Sequence, residues 1–254
     1  MQNIITSEVI DEYQNNGAVC IRNVFDLKWV KAVEKGIQRN LENQSSFSET
    51  LRGQNESGAY FDDYCNWTWI SEFRDFVFQS PVAEMTGLLM QSQYSAFYHE
   101  HVLVKEPGTT QKTPWHHDQS YYPIDGFKVC SVWMPVDSVS KDSSIQFVAG
   151  SHRWGKWFYP RKFATFRNYE LENNCFDRVF EDVPDIDAGR DHYTILQWDV
   201  QSGDCVVLHM RTLQGAPGNI SFTRPRRVLA TRWLGDDAVV TNRDGRHHHP
   251  LLES

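Results

Sequence analysis

Apolar positions recur at helical spacing up to residue 92 and at the shorter spacing of strands beyond it. Ser7 is placed to cap a helix running through Asn16, which Gly17 would end. AVCIRNVF then reads as a strand. Asp26 is placed to cap a second helix over Leu27–Leu41, with Val30, Val33 and Ile37 on one face. Residues 43–58 are polar and loop-like, and helical spacing returns at Ser71–Gln79. It returns again after Ser80-Pro81, a capping residue followed by a proline suited to the first turn. From Gln93 short strands alternate with turns: YSAFYHEHVLVKE, FKVCSVWMPV, SIQFVAG, YTILQW, DCVVLH and RVLATRWL. Short strands at near-regular spacing predict a sandwich or barrel. The predicted organisation is a single domain over 1–254. It has a helical part at about 1–92, a β core at about 93–238 and a lid-like insertion at about 155–190.

Composition changes this picture little. A chain of 254 residues, 40% hydrophobic and 23% charged, suits one globular domain. The net charge of −8 disfavours nucleic-acid binding, which needs a basic surface. No run of about 18 apolar residues is present, so no membrane helix is expected. The N-terminus MQNIITSEVIDEY lacks the basic start and apolar run of a signal peptide. Cys20, Cys65, Cys130, Cys175 and Cys205 are odd in number and form no C-x-x-C pair. They predict thiols in a reducing, cytoplasmic setting.

Candidate chemistry concentrates in TPWHHDQSYYP. His116 and Asp118 stand two residues apart, and on a strand such side chains share a face. An imidazole and a carboxylate aimed at one point are two thirds of the facial triad that holds a non-haem iron and leaves positions open for co-substrate and oxygen. The pair alone is a weak signal, because H-x-D is common by chance.

Longer motifs surround it. DEYQNNGAVCIRNVF, VLVKEPGT followed by PWHHDQSYY, VWMPVDSVSKDSSIQFVAGSHRWG, and SGDCVVLHMRTLQGAPGNISFTRPRRVLATRWLGDD together resemble the phytanoyl-CoA dioxygenase family over most of residues 7–238. The resemblance implies a mainly β fold, a double-stranded β-helix (jelly-roll) core with flanking N-terminal helices. It implies an Fe(II)/2-oxoglutarate-dependent dioxygenase that uses O2, is helped by ascorbate in vitro, and hydroxylates a small molecule with succinate and CO2 as co-products. His116 and Asp118 would be catalytic iron ligands. Arg226, with Arg224 or Arg227 as alternatives, would clamp the distal carboxylate of 2-oxoglutarate, for which its planar fork is suited. Trp133 and Leu103 fall where the family lines the co-substrate pocket, and His117 where it touches the co-substrate. Related halogenases leave the carboxylate position empty, so the retained Asp118 implies hydroxylation.

One position departs from the pattern. The family's third ligand is a histidine, and the matching residue is Gln214, whose neutral amide is a poorer partner for Fe(II) than imidazole. Three readings follow: Gln214 or a water completes the metal site, the site is inactive and the protein binds or senses a metabolite, or His209 takes over. His209 and Gln214 differ by an odd number and would face opposite sides of an unbroken strand. A rival metal set, His99, Glu100, His101 and Glu106, has cupin-like spacing but lacks the second half of that pattern. His152 reads as a turn stabiliser, Asp204 as a turn closer, and Cys130 and Cys205 as small core residues. Asp62 and Asp63 in YFDDYCNW read as a solvated loop, with a cationic substrate as the alternative. The triple histidine of the tail reads as a solvated segment.

Overall fold

A computed structural model describes residues 1, 3–54, 56–170 and 179–241. Four helices, α1 (Ser7–Asn16), α2 (Leu27–Glu42), α3 (Ser71–Gln79) and α4 (Val82–Met90), precede most of the strands. The strands are β1 (Ala18–Ile21), β2 (Glu49–Leu51), β3 (Tyr60–Tyr64), β4 (Ala96–Lys105), β5 (Thr113–His116), β6 (Ile124–Asp125), β7 (Val129–Pro135) and β8 (Gln146–Val148). They continue as β9 (Trp157–Phe158), β10 (Phe180–Glu181), β11 (Ile195–Leu196), β12 (Cys205–His209), β13 (Gln214–Ala216), β14 (Arg226–Leu234) and β15 (Val239–Val240).

Two antiparallel sheets form the core. The larger has the order β1-β12-β7-β14-β4-β3-β2 and the smaller β11-β8-β13-β5, so strands distant in sequence lie side by side. This is the jelly-roll core that the motifs imply. Three strands of the larger sheet, β1, β2 and β3, come from before residue 93, so the part read as helical also builds the β core. YFDDY is one of them: it is strand β3, and Asp62 and Asp63 are buried, which corrects the expectation of a solvated loop. β2 likewise falls in the stretch read as loop.

The larger sheet is buried on both faces, and strand alternation divides its residues between them. Val102, Val104, Val132, Met134, Val207 and Leu229 pack outward against helix residues such as Val33, Ile37, Phe73 and Met85. Trp133, Val206, Leu208 and Val228 face inward with Phe147 of the smaller sheet. Each fully buried side chain of this kind contributes about 1.5–3 kcal/mol.

The helices form where their caps and periods place them. Asp26 accepts from the Trp29 N–H at 3.2 Å at the start of α2, and Val30, Val33 and Ile37 are buried. Thr6 rather than Ser7 stands at the N-cap of α1, and Gly17 ends it in the left-handed region at φ 76°. The Ser80 hydroxyl accepts from the Val82 N–H at 3.3 Å, making the turn before α4. At Gly36 of α2 an added Cβ would lie 2.4 Å from the Phe73 ring, so glycine lets α2 and α3 pack closely.

Asp63 ties the helical layer to β3. It accepts from Asn40 Nδ2 and the Ser45 N–H, both at 2.8 Å, and from the Ser45 hydroxyl. Removing a buried acceptor strands its donors. Asp63→Ala is therefore expected to cost about 2–4 kcal/mol, read as a fall in thermal midpoint of about 5–15 °C. An unchanged midpoint would contradict the clamp.

Candidate active site

Inward-facing positions of the larger sheet form rows across its strands. Tyr60, Lys105 and Arg226 are register partners in one row, and Glu49, Asp62, Leu103 and Val228 in the next. Tyr64, His101, Ala230 and Trp133 follow, then His99, Arg232 and Ser131. With the smaller sheet and the described part of the insertion they enclose a cavity of about 590 Å³. Its lining includes His116, Asp118, Gln214, Trp133, Leu103 and Arg226, six of the seven residues singled out as a site. Arg161, Phe163 and Tyr169 of the insertion also line it. Residues 171–178, also within the insertion, and the triple histidine of the tail lie outside the described residues.

His116 ends β5 and Asp118 opens a short 3-10 turn, with His117 extended between them at φ −122° and ψ 142°. The alternation therefore persists through the end of the strand. His116 Nε2 and Asp118 Oδ1 stand 3.4 Å apart. Gln214 lies opposite His116 in the β13–β5 register, and its Nε2 donates to Asp118 Oδ1 at 2.6 Å. The H-x-D pair and the glutamine thus meet although 96 residues separate Gln214 from Asp118.

The other Asp118 oxygen is equally occupied. The Ser131 hydroxyl donates to Oδ2 at 2.7 Å, and Arg232 Nη2 lies 3.4 Å away. Burial alone would raise the Asp118 carboxyl, but Arg232, His116 and Ser131 together hold it well below the usual carboxylate range. At the opposite end, Arg226 donates to the Ser143 carbonyl and Lys105 Nζ to the Pro217 carbonyl at 2.9 Å. Burial lowers Arg226 to about 10, opposed by Tyr60. Burial, then the Arg226 charge, pushes Lys105 well below its usual range. Two adjacent buried cations facing backbone carbonyls make a receptor for an anion.

The donor set fits a divalent metal. His116 Nδ1 sits 2.7 Å from the Pro114 carbonyl and must donate to it. In the neutral ring Nε2 then presents a lone pair to Asp118 Oδ1, and two acceptors face one another across a gap that a cation closes. Two strong donors plus an amide is a weaker set than two histidines and a carboxylate. Among the described residues no group of three or more His, Cys, Asp or Glu side chains is arranged to hold a metal.

His117, expected to touch the co-substrate, points the other way. Its ring packs on Trp157 and Phe158 at 5.7 and 5.4 Å, because it faces opposite to both neighbours on the extended backbone. His209 does not replace Gln214. Its Nε2 donates to the Phe127 carbonyl at 2.7 Å and its Nδ1 accepts from the Arg211 N–H at 3.0 Å. Of the alternative arginines, Arg224 is exposed, and Arg227 pairs with Asp137 and Glu34 on the helix side. The rival metal set is dispersed, since Glu106 accepts from the Ala59 N–H and Glu100 faces away from His99 and His101. Asp204 accepts from the Gln201 N–H, matching its role as a turn closer, whereas His152 bonds the distant Gln14 carbonyl of α1 and so ties its turn to that helix.

Sequence reasoning missed Lys105, Ser131 and Arg232 as part of the site. Lys105 and Arg232 are charged positions on long strands of a sheet buried on both faces, and charge there is itself a signal.

The chain belongs to the phytanoyl-CoA dioxygenase (PhyH) family, whose profile matches residues 13–228. Its structure resembles that of SnoK, a non-heme alpha ketoglutarate dependent carbocyclase from nogalamycin biosynthesis. The two share 21% identity over 93% of this chain and 86% of that one, with a TM-score of 0.72. The epimerase SnoN in complex with Fe3+, alpha ketoglutarate and nogalamycin RO shows 18% identity, 94% and 86% coverage and a TM-score of 0.70. EctD from S. alaskensis with 2-oxoglutarate and 5-hydroxyectoine shows 11% identity, 91% and 76% coverage and a TM-score of 0.66. At these identities the likeness establishes the shared fold. No curated protein matches the chain in sequence. No helix among the described residues is long and apolar enough to cross a membrane.

Glu100 gives a pH signature. Burial pushes its carboxyl up to about 7, opposed by the backbone N–H groups of Asn66, Glu100 and Trp67. The folded protein then holds a proton that the unfolded chain has released, so stability falls as pH rises from about 4 to about 7. Glu100→Gln is expected to flatten that fall in denaturant titrations at stepped pH. An identical slope in the variant would show that Glu100 does not cause it.

Proposed function

We propose that this protein is an Fe(II)/2-oxoglutarate-dependent dioxygenase that hydroxylates a small polar metabolite. The observation that carries the reading is one cavity with two chemical ends. His116, Asp118 and Gln214 converge at one, and Arg226 and Lys105 stand at the other. Family membership over residues 13–228 supports it. When bound, iron and 2-oxoglutarate supply the O2-activating chemistry, with succinate and CO2 as co-products.

The protein's own groups do the rest. His116 Nε2 and Asp118 Oδ1 hold the metal. The Pro114 carbonyl fixes the imidazole tautomer, while Ser131 and Arg232 fix the second carboxylate oxygen. Gln214 must turn its amide to offer oxygen rather than its N–H groups. Arg226 takes the distal carboxylate of the co-substrate with Lys105 beside it, and Trp133 and Leu103 wall its chain. Phe163 and Tyr169 from the insertion cover the metal end and exclude water.

A second reading is favoured by the 2.6 Å bond from Gln214 to Asp118, which satisfies the carboxylate without a metal. On that reading the protein binds a metabolite without turnover.

Anaerobic Fe(II) with 2-oxoglutarate is expected to give the visible charge-transfer band of a chelated keto acid, and oxygen with ascorbate to give succinate. Gln214→His is expected to raise metal affinity and uncoupled succinate formation by about 10–100-fold. A band without succinate in both proteins would select the binding reading, and no band in either would sink the oxygenase reading. Arg226→Met is expected to weaken 2-oxoglutarate binding by about 2–5 kcal/mol, since it strands a buried carboxylate. Calorimetry showing unchanged affinity would remove Arg226 from the clamp.

A further inference from the structure

The charges of the cavity are matched at every carboxylate but not at every cation. Asp118 has four neighbours, and Asp62 Oδ1 faces His101 Nε2 at 3.3 Å. Glu49 is exposed at the mouth. Among the cations, Arg161 Nε and Nη2 donate to the Phe166 carbonyl, and Lys105 and Arg226 donate to backbone carbonyls. Arg232 differs. It is only 6% exposed and lines the cavity, yet its Nε and Nη1 meet no acceptor. Its remaining partners are Asp118 at 3.4 Å and the Tyr122 hydroxyl.

Asp118 Oδ2 answers Arg232 at Nη2 alone and leaves Nε and Nη1 open. A divalent metal on Asp118 Oδ1 would share the carboxylate charge, so the buried guanidinium with its open N–H groups would be less fully compensated. A buried charge of this kind requires an anion in good geometry. On the oxygenase reading one carboxylate of the co-substrate would go to the metal and the other to Arg226 and Lys105. The missing anion must arrive with the substrate.

We infer that Arg232 receives a carboxylate of the substrate, which makes the substrate an organic acid; this rests on the oxygenase reading above. The planar fork of arginine suits a carboxylate, and its register neighbours His99 and Ser131, with Tyr122, give the corner further polar groups. Two inward rows, those of Val228 and Ala230, separate Arg232 from Arg226, so the two anion receptors serve different ligands. Because Arg232 adjoins Asp118, the anchored acid places carbons close to its own carboxylate at the metal.

The test uses the full chain with Fe(II) and saturating 2-oxoglutarate without oxygen, so that Arg226 and Lys105 are engaged. Acetate, cyclohexanecarboxylate and benzoate are titrated against the charge-transfer band and by ligand-observed NMR. The matched amides and benzylamine serve as neutral and cationic comparisons. At least one carboxylate is expected to perturb the band and to bind tenfold or more tighter than its amide and than benzylamine. Arg232→Lys, which keeps a charge beside Asp118 but loses the fork, is expected to cut the preference for that carboxylate over its amide tenfold, each variant being read against its own band and by NMR; Arg232→Gln should remove the preference. Equal binding of amide and acid, tighter binding of benzylamine, no carboxylate binding, or an unchanged preference in Arg232→Lys would each overturn the inference while leaving the oxygenase reading intact. If no band forms in the wild type, the oxygenase reading fails and the inference falls with it.

Discussion

The Asp118 carboxylate is the point on which the two sheets agree. It sits just past β5 of the smaller sheet and is met by Gln214 from β13, Ser131 from β7 and Arg232 from β14. A buried carboxylate is costly unless paired and fully hydrogen-bonded. Each partner here comes from a different strand, so the pairing fixes how the sheets face one another as well as the charge of the site.

Gln214 changes how that constraint is used. A histidine facing Asp118 could offer a ring nitrogen to a shared metal. The glutamine donates an N–H to the carboxylate instead and satisfies it directly. Arg232 on the second oxygen works in the same direction. Both Asp118 oxygens are therefore met by the protein's own groups, and a metal would have to displace the Gln214 bond to enter. The far end has the opposite character: Lys105 and Arg226 lie side by side and donate to the Pro217 and Ser143 carbonyls, a charge arrangement that an anion relieves.

Much of this was legible in the sequence, for physical reasons. Alternating apolar runs located β4, β7, β12 and β14, the Asp26 cap located α2, and helical spacing located α3. The H-x-D spacing worked because extended backbone at His117 carries the alternation past the end of β5. The same alternation turns His117 away from the cavity, a consequence that spacing alone implied and that the family likeness obscured. β3 was hidden because its acidic residues look solvated, whereas Asp63 is consumed by Asn40 and Ser45 across a sequence distance that no local pattern reveals. Arg232 and Lys105 were hidden likewise, since only the β4–β14 register places both on the cavity face.

The account stands on metal and keto acid sharing this one cavity. The most direct measurement is a crystal structure grown with Mn(II) and 2-oxoglutarate, with manganese located by its anomalous signal. The account predicts manganese bound by His116 Nε2 and Asp118, with Gln214 turned toward it and the distal carboxylate against Arg226. Manganese elsewhere on the chain, or the keto acid outside the cavity, would contradict it.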